Sequence, residues 1–258
     1  MKVTILGCGH SLGVPVIGCE CAVCTSDNPK SKRLRVSVLV QVDGKNIVID
    51  TSPDFRQQIL STNINRLDAV LYTHDHADHT HGIDDLRSFN ILHNDVIPVY
   101  SNAEIIESLK KRFSYVFLPK PTENATFRPS LSANILPDMP IYEFMLGETK
   151  IIAFEQQHGK SITLGYRIGD FAYSTDVNAL SDSAFEALSG VKCWIVDCLR
   201  YTPSYSHSHL SQTLEWISRV TPNQAILTHM AHEFDYDKLL PELPAGVLPA
   251  YDGMVIEI

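Results

Sequence analysis

Four side chains of the types that bind metal ions lie within six residues of this sequence. They are two imidazoles, then a carboxylate and a third imidazole, at His74, His76, Asp78 and His79. Zn²⁺ and its first-row neighbours take imidazole nitrogen and carboxylate oxygen as ligands, and a catalytic site leaves one position open for water. This density of ligands is what a two-metal hydrolytic centre needs, so the spacing predicts hydrolysis.

One short segment cannot fill two coordination spheres, so more ligands must come from elsewhere in the chain. Three candidates each follow an apolar, strand-like run: His158, Asp176 and His229. The motif itself follows a strand predicted near Leu67 to Tyr72. Because open α/β sheets place their sites at strand ends, we expect these side chains to converge on one centre.

A second cluster of ligand types lies near the N-terminus, in a cysteine-rich loop near residues 18–25. Cys19, Cys21 and Cys24 place three thiols within six residues, and His232 lies three residues beyond His229. Three cysteines and one histidine predict a closed, tetrahedral structural zinc site. The alternative is a set of reduced, buried cysteines.

The other three cysteines fit that alternative better, because Cys8, Cys193 and Cys198 lie singly within apolar segments. We expect no disulfide framework, since a chain of this length can bury a full core and shows no signal-peptide pattern.

In these residues the chain resembles the metallo-β-lactamase-fold hydrolases, whose H-x-H-x-D-H signature it matches without departure. The resemblance implies two metal ions that share one bridging carboxylate, Asp176. The other implied ligands are His74, His76 and His158 for the first ion and Asp78, His79 and His229 for the second. Asp50 resembles the aspartate that orients a ligand imidazole in this family; a turn aspartate at a strand end is the alternative.

The pairing of Cys-x-Cys-x-x-Cys with Thr228 to His232 is similar to the phosphodiesterase branch of this fold. Within it, the chain resembles the phosphoribosyl 1,2-cyclic phosphate phosphodiesterases associated with the bacterial carbon-phosphorus lyase pathway. The resemblance implies hydrolysis of a small, cyclic phosphodiester or nucleotide-like substrate by a hydroxide on two metals, Zn or Mn, with one structural Zn besides. The fold and the metal chemistry transfer more safely than the named reaction, because related members carry the same framework and their substrates are unassigned.

Catalysis on a phosphodiester also calls for a proton donor and for groups that bind phosphate oxygens. His209 is the predicted general acid, because it resembles the histidine that precedes a helix in this branch; His207 is the alternative, since the spacing departs from the usual His-Pro-x-His. Arg35 and Arg87 are candidate phosphate contacts, with structural ion pairing as the alternative. Asp78 takes part in catalysis as a metal ligand.

Composition predicts a soluble, cytoplasmic enzyme with one domain over residues 1–258. The chain is 44% hydrophobic, and its formal charge of -9 comes from 30 acidic and 21 basic residues. The basic residues are dispersed, so we expect no extended nucleic-acid track, and no apolar run approaches the roughly 20 residues of a membrane span. A homodimer is expected from the branch alone.

The predicted strands fall in two runs, each punctuated by helices, which suits an α/β (α+β) fold: a four-layer αββα sandwich with the site along one sheet edge. One long loop is expected from Leu118 to Pro140, with five prolines. Three alternatives stay open: an RNA-processing nuclease of the same fold, whose RNA-binding arm is not evident here; a thioester hydrolase, which the Cys3His cluster disfavours; and a nucleotide-binding protein with little turnover, although no ligand is missing.

Overall fold

Two seven-stranded mixed β-sheets form the centre of the computed structural model, which describes residues 1–118 and 128–258. In the first sheet the order is β14-β1-β2-β3-β4-β5-β6, with β1 (Lys2–Gly7), β2 (Ser37–Val42), β3 (Lys45–Ile49), β4 (Ala69–Leu71), β5 (Ile97–Asn102), β6 (Leu131–Leu136) and β14 (Val255–Glu257). In the second it is β13-β12-β11-β10-β9-β8-β7, with β7 (Ile141–Leu146), β8 (Thr149–His158), β9 (Ser161–Ile168), β10 (Phe171–Ser174), β11 (Cys193–Asp197), β12 (Gln224–Thr228) and β13 (Val247–Pro249).

Helices flank the two sheets. They are α1 (Phe55–Leu60), α2 (Ala77–Thr80), α3 (Arg87–His93), α4 (Ala103–Arg112), α5 (Asp182–Leu188), α6 (Leu210–Val220) and α7 (Tyr236–Leu239). Helix α4 packs against β5 and β6 of the first sheet, and α5 packs against β7 and β8 of the second. The predicted αββα sandwich is therefore confirmed.

The central strands are apolar along their whole length because both of their faces are covered. β4 reads Ala-Val-Leu and β11 begins Cys-Trp-Ile-Val, and all of these residues are buried. Continuous apolar runs of this kind are typical of parallel strands with helices on one face and a second sheet on the other. Burial of one such side chain stabilises the fold by about 1.5 to 3 kcal/mol.

The parallel strands bring their carboxyl ends to a common edge. β3 through β6 are parallel in the first sheet, and β10 through β13 are parallel in the second. The predicted ligands follow the ends of β4, β8, β10 and β12. The fold thus supplies the convergence of strand ends that the ligand pattern required.

The predicted loop from Leu118 to Pro140 was wrong in part. Leu131–Leu136 forms β6, which pairs in parallel with β5 from Ile97 to Asn102. Pro129 and Pro137 bracket this edge strand, and its mixture of buried and exposed side chains has no clear alternation. Residues 119–127 of that prediction lie outside the described residues. In the described part of the chain, no helix combines the length and the apolar character needed to cross a membrane.

Candidate metal centre

The motif segment leaves β4 and turns into a short helix that the sequence did not predict. His76 is the N-cap residue of α2, which carries Asp78 and His79. Helix α4 holds this segment from outside, since the Ser108 hydroxyl donates to Asp75 Oδ2 at 2.5 Å and the Arg112 guanidinium donates to the Asp75 carbonyl. The segment therefore presents its side chains from a fixed backbone.

Two groups of ligand-type side chains meet at this edge, and their ligand atoms lie within 4.8 Å of one another in each group. The first group is His74, His76, His158 and Asp176; the second is Asp78, His79, Asp176 and His229. All seven residues predicted from the sequence are therefore brought together. Asp176 belongs to both groups.

The two carboxylate oxygens of Asp176 face different groups. Oδ2 lies 3.7 Å from His74 Nε2 and 3.8 Å from His158 Nε2. Oδ1 lies 3.1 Å from His79 Nε2 and 3.4 Å from His229 Nε2. A carboxylate placed in this way can bridge two cations.

The outer nitrogens of the imidazoles are held by neighbouring groups, which directs the inner nitrogens to the centre. His158 Nδ1 donates to the Ser206 carbonyl at 2.6 Å, and His79 Nδ1 lies 2.7 Å from Asp50 Oδ2. Asp50 is fully buried and also accepts the Thr73 amide at 2.8 Å. The sequence prediction that Asp50 orients a ligand imidazole thus agrees with its placement.

The inner nitrogens fit a metal ion. Among the described residues, Nε2 of His74, His79 and His229 is buried without a hydrogen-bond partner. Leaving such groups unpaired costs about 1 to 3 kcal/mol each, and imidazole with carboxylate is a donor set that Zn²⁺ and Mn²⁺ accept. Both groups could therefore hold a divalent cation.

At His74 and Asp176 the electrostatics favour the deprotonated forms that metal ligands need, whereas at His79 burial is outweighed by the neighbouring carboxylates, which raise its pKa. Burial lowers the pKa of His74 far below its usual value, and the neighbouring His79 lowers it further. Burial acts to raise the pKa of Asp176, but the surrounding imidazoles outweigh it and hold this pKa well below the usual range. An ionised Asp176 beside a neutral His74 is ready to accept a cation.

Of the two histidines considered as proton donors, His207 is the one that the described contacts place at the site. His207 Nε2 lies 3.8 Å from Asp176 Oδ2, and the His207 ring contacts that of His158 at a centroid distance of 4.8 Å. His209 is the N-cap residue of α6, without a side-chain capping bond. These contacts favour His207 as the proton donor, and the assignment of His209 as the general acid stays a prediction.

Asp197 is a residue of the site that sequence reasoning missed. It ends β11, is fully buried, and its Oδ2 lies 3.3 Å from His207 Nδ1. Burial lowers the pKa of His207, but the carboxylates of Asp197 and Asp176 outweigh it and raise this pKa to about 9. The signal was present, since Asp197 follows an apolar run just as Asp176 does.

The structure gives one of the two candidate phosphate contacts a carboxylate partner. Arg35 pairs with Asp54, its Nε 2.7 Å from Oδ2 and its Nη2 2.8 Å from Oδ1. Arg87 begins α3, near Asp85, whose pKa is raised by burial and by Asp84 against the opposing charges of Arg56 and Arg87. The structural alternative for Arg35 is therefore the one its geometry favours.

The predicted cysteine cluster comes together as a second candidate site. Sγ of Cys19 and of Cys21 lies 3.3 Å from His232 Nδ1, and Sγ of Cys24 lies 3.6 Å from it. The Cys24 amide donates to Cys21 Sγ, the main reason that the pKa of Cys21 is lowered to about 6. Four donors around one point, with a thiol inclined to ionise, fit a tetrahedral zinc ion.

The remaining cysteines, Cys8, Cys193 and Cys198, are buried singly, and all six cysteines are free thiols. This agrees with the expectation that no disulfide framework is present.

Comparison with known proteins places this fold and site in a family. The model of the beta-lactamase superfamily domain matches residues 45–230, so the chain belongs to the metallo-β-lactamase superfamily. A crystal structure described as a new diphosphatase from the PhnP family superposes with a TM-score of 0.91 at 35% identity, covering 100% of this chain and 97% of that chain. This agreement matches the PhnP-like branch of the superfamily, as the cysteine and motif resemblance indicated.

Two further relatives are similar in different ways. A protein of Porphyromonas gingivalis named octanoyltransferase is 36% identical over 98% of this chain; the chain spans 51% of it, about half its length. Zn²⁺-bound PqqB from Methylobacterium extorquens superposes with a TM-score of 0.76 at 18% identity over 100% of both chains, a likeness of fold. The fold and the donor set together are those of the metallo-β-lactamase superfamily.

Proposed function

We propose that this protein hydrolyses a small phosphodiester, cleaving a P–O bond at a centre of two divalent cations. The observation that carries the proposal is the geometry of Asp176, whose two oxygens face two separate groups of imidazole and carboxylate ligands. A paired centre of this kind suits an in-line displacement at phosphorus. When bound, the cations supply an activated water near neutral pH and neutralise phosphate charge.

The residues of the first ion would be His74, His76 and His158, and those of the second Asp78, His79 and His229, with Asp176 shared between them. The chain's own contribution is to orient these ligands. Asp50 holds His79, and the Ser206 carbonyl holds His158, so each Nε2 keeps one direction. Such outer hydrogen bonds fix the tautomer of a ligand and raise its basicity.

His207 is the proposed proton donor to the leaving oxygen. Its Nε2 lies beside Asp176 at 3.8 Å, and its Nδ1 lies beside Asp197. Burial lowers the pKa of His207, but the carboxylates of Asp197 and Asp176 outweigh it and favour the protonated form that a donor needs; cations at the centre would act in the opposite direction. General acid catalysis of this kind contributes about 10² to 10⁴ in rate when the leaving group is a poor one.

The substrate class is supported by the solved relative described as a PhnP-family diphosphatase. A diphosphate diester is cleaved at its P–O–P anhydride bond and a phosphodiester at a P–O–C bond, and in both cases water attacks phosphorus and a P–O bond breaks. We therefore include diphosphate diesters with cyclic phosphodiesters in the substrate class.

Acyl thioester hydrolysis is a second candidate, favoured by the relative named octanoyltransferase. The same cations that polarise a phosphoryl oxygen polarise a carbonyl oxygen. However, this chain spans about half of that relative, so the name does not locate the activity in the matched half.

The test is a metal-analysed preparation assayed against bis(p-nitrophenyl) phosphate, ribose 1,2-cyclic phosphate, a 2′,3′-cyclic nucleotide, a dinucleoside diphosphate and octanoyl-CoA. We expect turnover of at least one phosphorus substrate, and a loss of about 10² to 10⁴ in kcat for His207→Gln on a substrate with an alkoxide leaving group. Turnover of octanoyl-CoA alone would overturn the proposal.

A further inference from the structure

Asp197 occupies an unusual position, because its carboxylate lies behind the site and between two of its histidines. The residue is fully buried at the carboxyl end of β11. Its Oδ2 accepts the backbone amides of Ser208 at 3.1 Å and Val177 at 3.2 Å, and it lies 3.3 Å from His207 Nδ1. Val177 directly follows Asp176, so this one oxygen is linked to two parts of the centre.

The second oxygen faces a metal-ligand histidine. Asp197 Oδ1 lies 3.7 Å from His229 Nδ1, and among the described residues neither atom has a hydrogen-bond partner. Because buried polar atoms are normally paired, the approach of this carboxylate oxygen to this imidazole nitrogen points to an interaction between them. The rings of His207 and His229 are stacked, with centroids 4.6 Å apart and planes 12° apart, so both Nδ1 atoms present themselves to the same carboxylate.

We propose that Asp197 is a positioning residue that holds hydrogen on Nδ1 of the metal ligand His229 and of the proton donor His207, whose transferable proton is carried on Nε2, so that both Nε2 atoms face Asp176. The proposal rests on the proposed function, in which His207 donates a proton and His229 binds an ion. The inner nitrogens agree with it, since His229 Nε2 lies 3.4 Å from Asp176 Oδ1 and His207 Nε2 lies 3.8 Å from Oδ2. One carboxylate would thus couple the orientation of the acid to that of the metal site.

A merely structural role for Asp197 can be separated from this one. The Asp197 carbonyl accepts the hydroxyls of Ser208 at 2.5 Å and Thr213 at 2.9 Å, and these bonds do not depend on the side chain. In Asp197→Asn the amide oxygen can take the place of Oδ2 and still accept the backbone amides, and the amide nitrogen then faces His229 Nδ1, where it can only donate. The substitution therefore preserves the backbone contacts, removes the negative charge that holds His207, and removes the acceptor that faces His229.

The kinetic test compares two phosphodiesters that differ only in the leaving group, p-nitrophenolate or an alkoxide, at saturating metal. For Asp197→Asn we expect kcat to fall by about 10² to 10⁴ with the alkoxide and less than about tenfold with p-nitrophenolate, which needs no proton. The double variant with His207→Gln should lose no more than His207→Gln alone with the alkoxide. Metal affinity, measured by chelator competition, should fall by about 10- to 100-fold through His229.

The matched control is Asp68→Asn. Asp68 also accepts a backbone amide, that of Asn46 at 2.9 Å, but it precedes β4 and lies at the end of the strand away from the site. It should leave both the leaving-group dependence and the metal affinity unchanged.

A spectroscopic readout on metal-free protein decides the same question without activity. Long-range ¹H–¹⁵N correlation should show hydrogen on Nδ1 of His207 and His229 in the wild type and a changed proton distribution in Asp197→Asn. Hydrogen on Nε2 alone at His229 in the wild type, or an equal kcat loss with both leaving groups and unchanged imidazole signals in the variant, would overturn the proposal. If His207→Gln keeps full activity on the alkoxide, the proton-donor assignment fails, while the imidazole signals still decide the role of Asp197.

Discussion

Replacement of one cysteine ligand, Cys21→Ser, is the change that tests most directly how the two candidate metal sites depend on each other. Serine offers a hydroxyl in place of a thiolate, which is a poor ligand for a zinc ion in a thiolate site. Cys21 Sγ lies 3.3 Å from His232 Nδ1, so the substitution removes one of four donors. We expect loss of the structural zinc.

The size of the expected loss of stability follows from how few buried apolar side chains order the segment Val14–Cys24. Its buried apolar cluster consists of Val14, Val23 and Cys24, and the two valines contribute about 3 to 6 kcal/mol. Ordering the backbone of these eleven residues costs about 11 to 22 kcal/mol, and a structural zinc contributes about 10 to 16 kcal/mol. Without the ion the segment should therefore unfold locally while the sandwich stays folded.

Local unfolding should reach the catalytic centre through one short strand-like connection. The Met230 amide donates to the Cys8 carbonyl at 2.9 Å, and Met230 directly follows His229. Arg33 holds the same stretch by donating to the carbonyls of Ala231 at 3.2 Å and Phe234 at 2.7 Å, on either side of His232. We expect activity to fall although no catalytic residue is changed.

The assay combines zinc analysis with hydrogen exchange of peptides covering residues 14–24 and 224–232. Cys21→Ser should lose about one zinc per chain and the exchange protection of the first peptide, with a smaller loss in the second. Cys193→Ser, at a buried thiol outside the cluster, is the control and should keep the zinc. Full zinc content with unchanged protection in Cys21→Ser would refute the reasoning.

Two further predictions concern buried carboxylates. Asp50→Asn should weaken metal binding by about 10- to 100-fold in chelator competition, because it weakens the hold on His79 Nδ1; equal affinity in variant and wild type would contradict this. Burial is the main cause that raises the pKa of Asp252 from 3.8 to about 6, so the folded state binds an extra proton in this window and loses stability as pH rises through 6. The unfolding free energy of Asp252→Asn minus that of the wild type should therefore rise by up to about 3 kcal/mol between pH 4 and pH 7, as measured by urea titrations. A difference that does not change with pH would count against the assignment.

The convergence of the ligands could be predicted from the sequence because each one follows an apolar run. His158, Asp176 and His229 end or follow β8, β10 and β12, and the same rule applied to Cys193–Asp197 finds Asp197. β6 escaped prediction although Leu-Ser-Ala-Asn-Ile alternates apolar and polar residues, because the prolines around it favour a loop; its place is decided by pairing with β5. Local pattern therefore located strand ends better than it located an edge strand.

The choice between His207 and His209 could not be made from sequence for a different reason. The two residues lie two positions apart in an irregular segment, so no periodicity assigns their directions. The contact that favours His207 is with Asp197, which lies ten positions earlier and is brought near by the turn after β11. Such a contact exists only once the tertiary fold is formed.

Three of the residues at the centre share a backbone conformation that ordinary side chains avoid. Asp50, Asp176 and His229 have φ of 63°, 50° and 57°, and each directly follows a strand or lies within two residues of its end. The left-handed region costs a non-glycine residue about 1 to 2 kcal/mol, a cost that glycine would avoid. The functions proposed for these three residues account for the unfavourable conformation, since Asp176 and His229 are ligand candidates and Asp50 orients His79. Cations bound at the centre would offset this strain and would also give the unpaired imidazole nitrogens a partner. Metal binding should therefore stabilise these strand ends, just as a structural zinc should stabilise the cysteine loop.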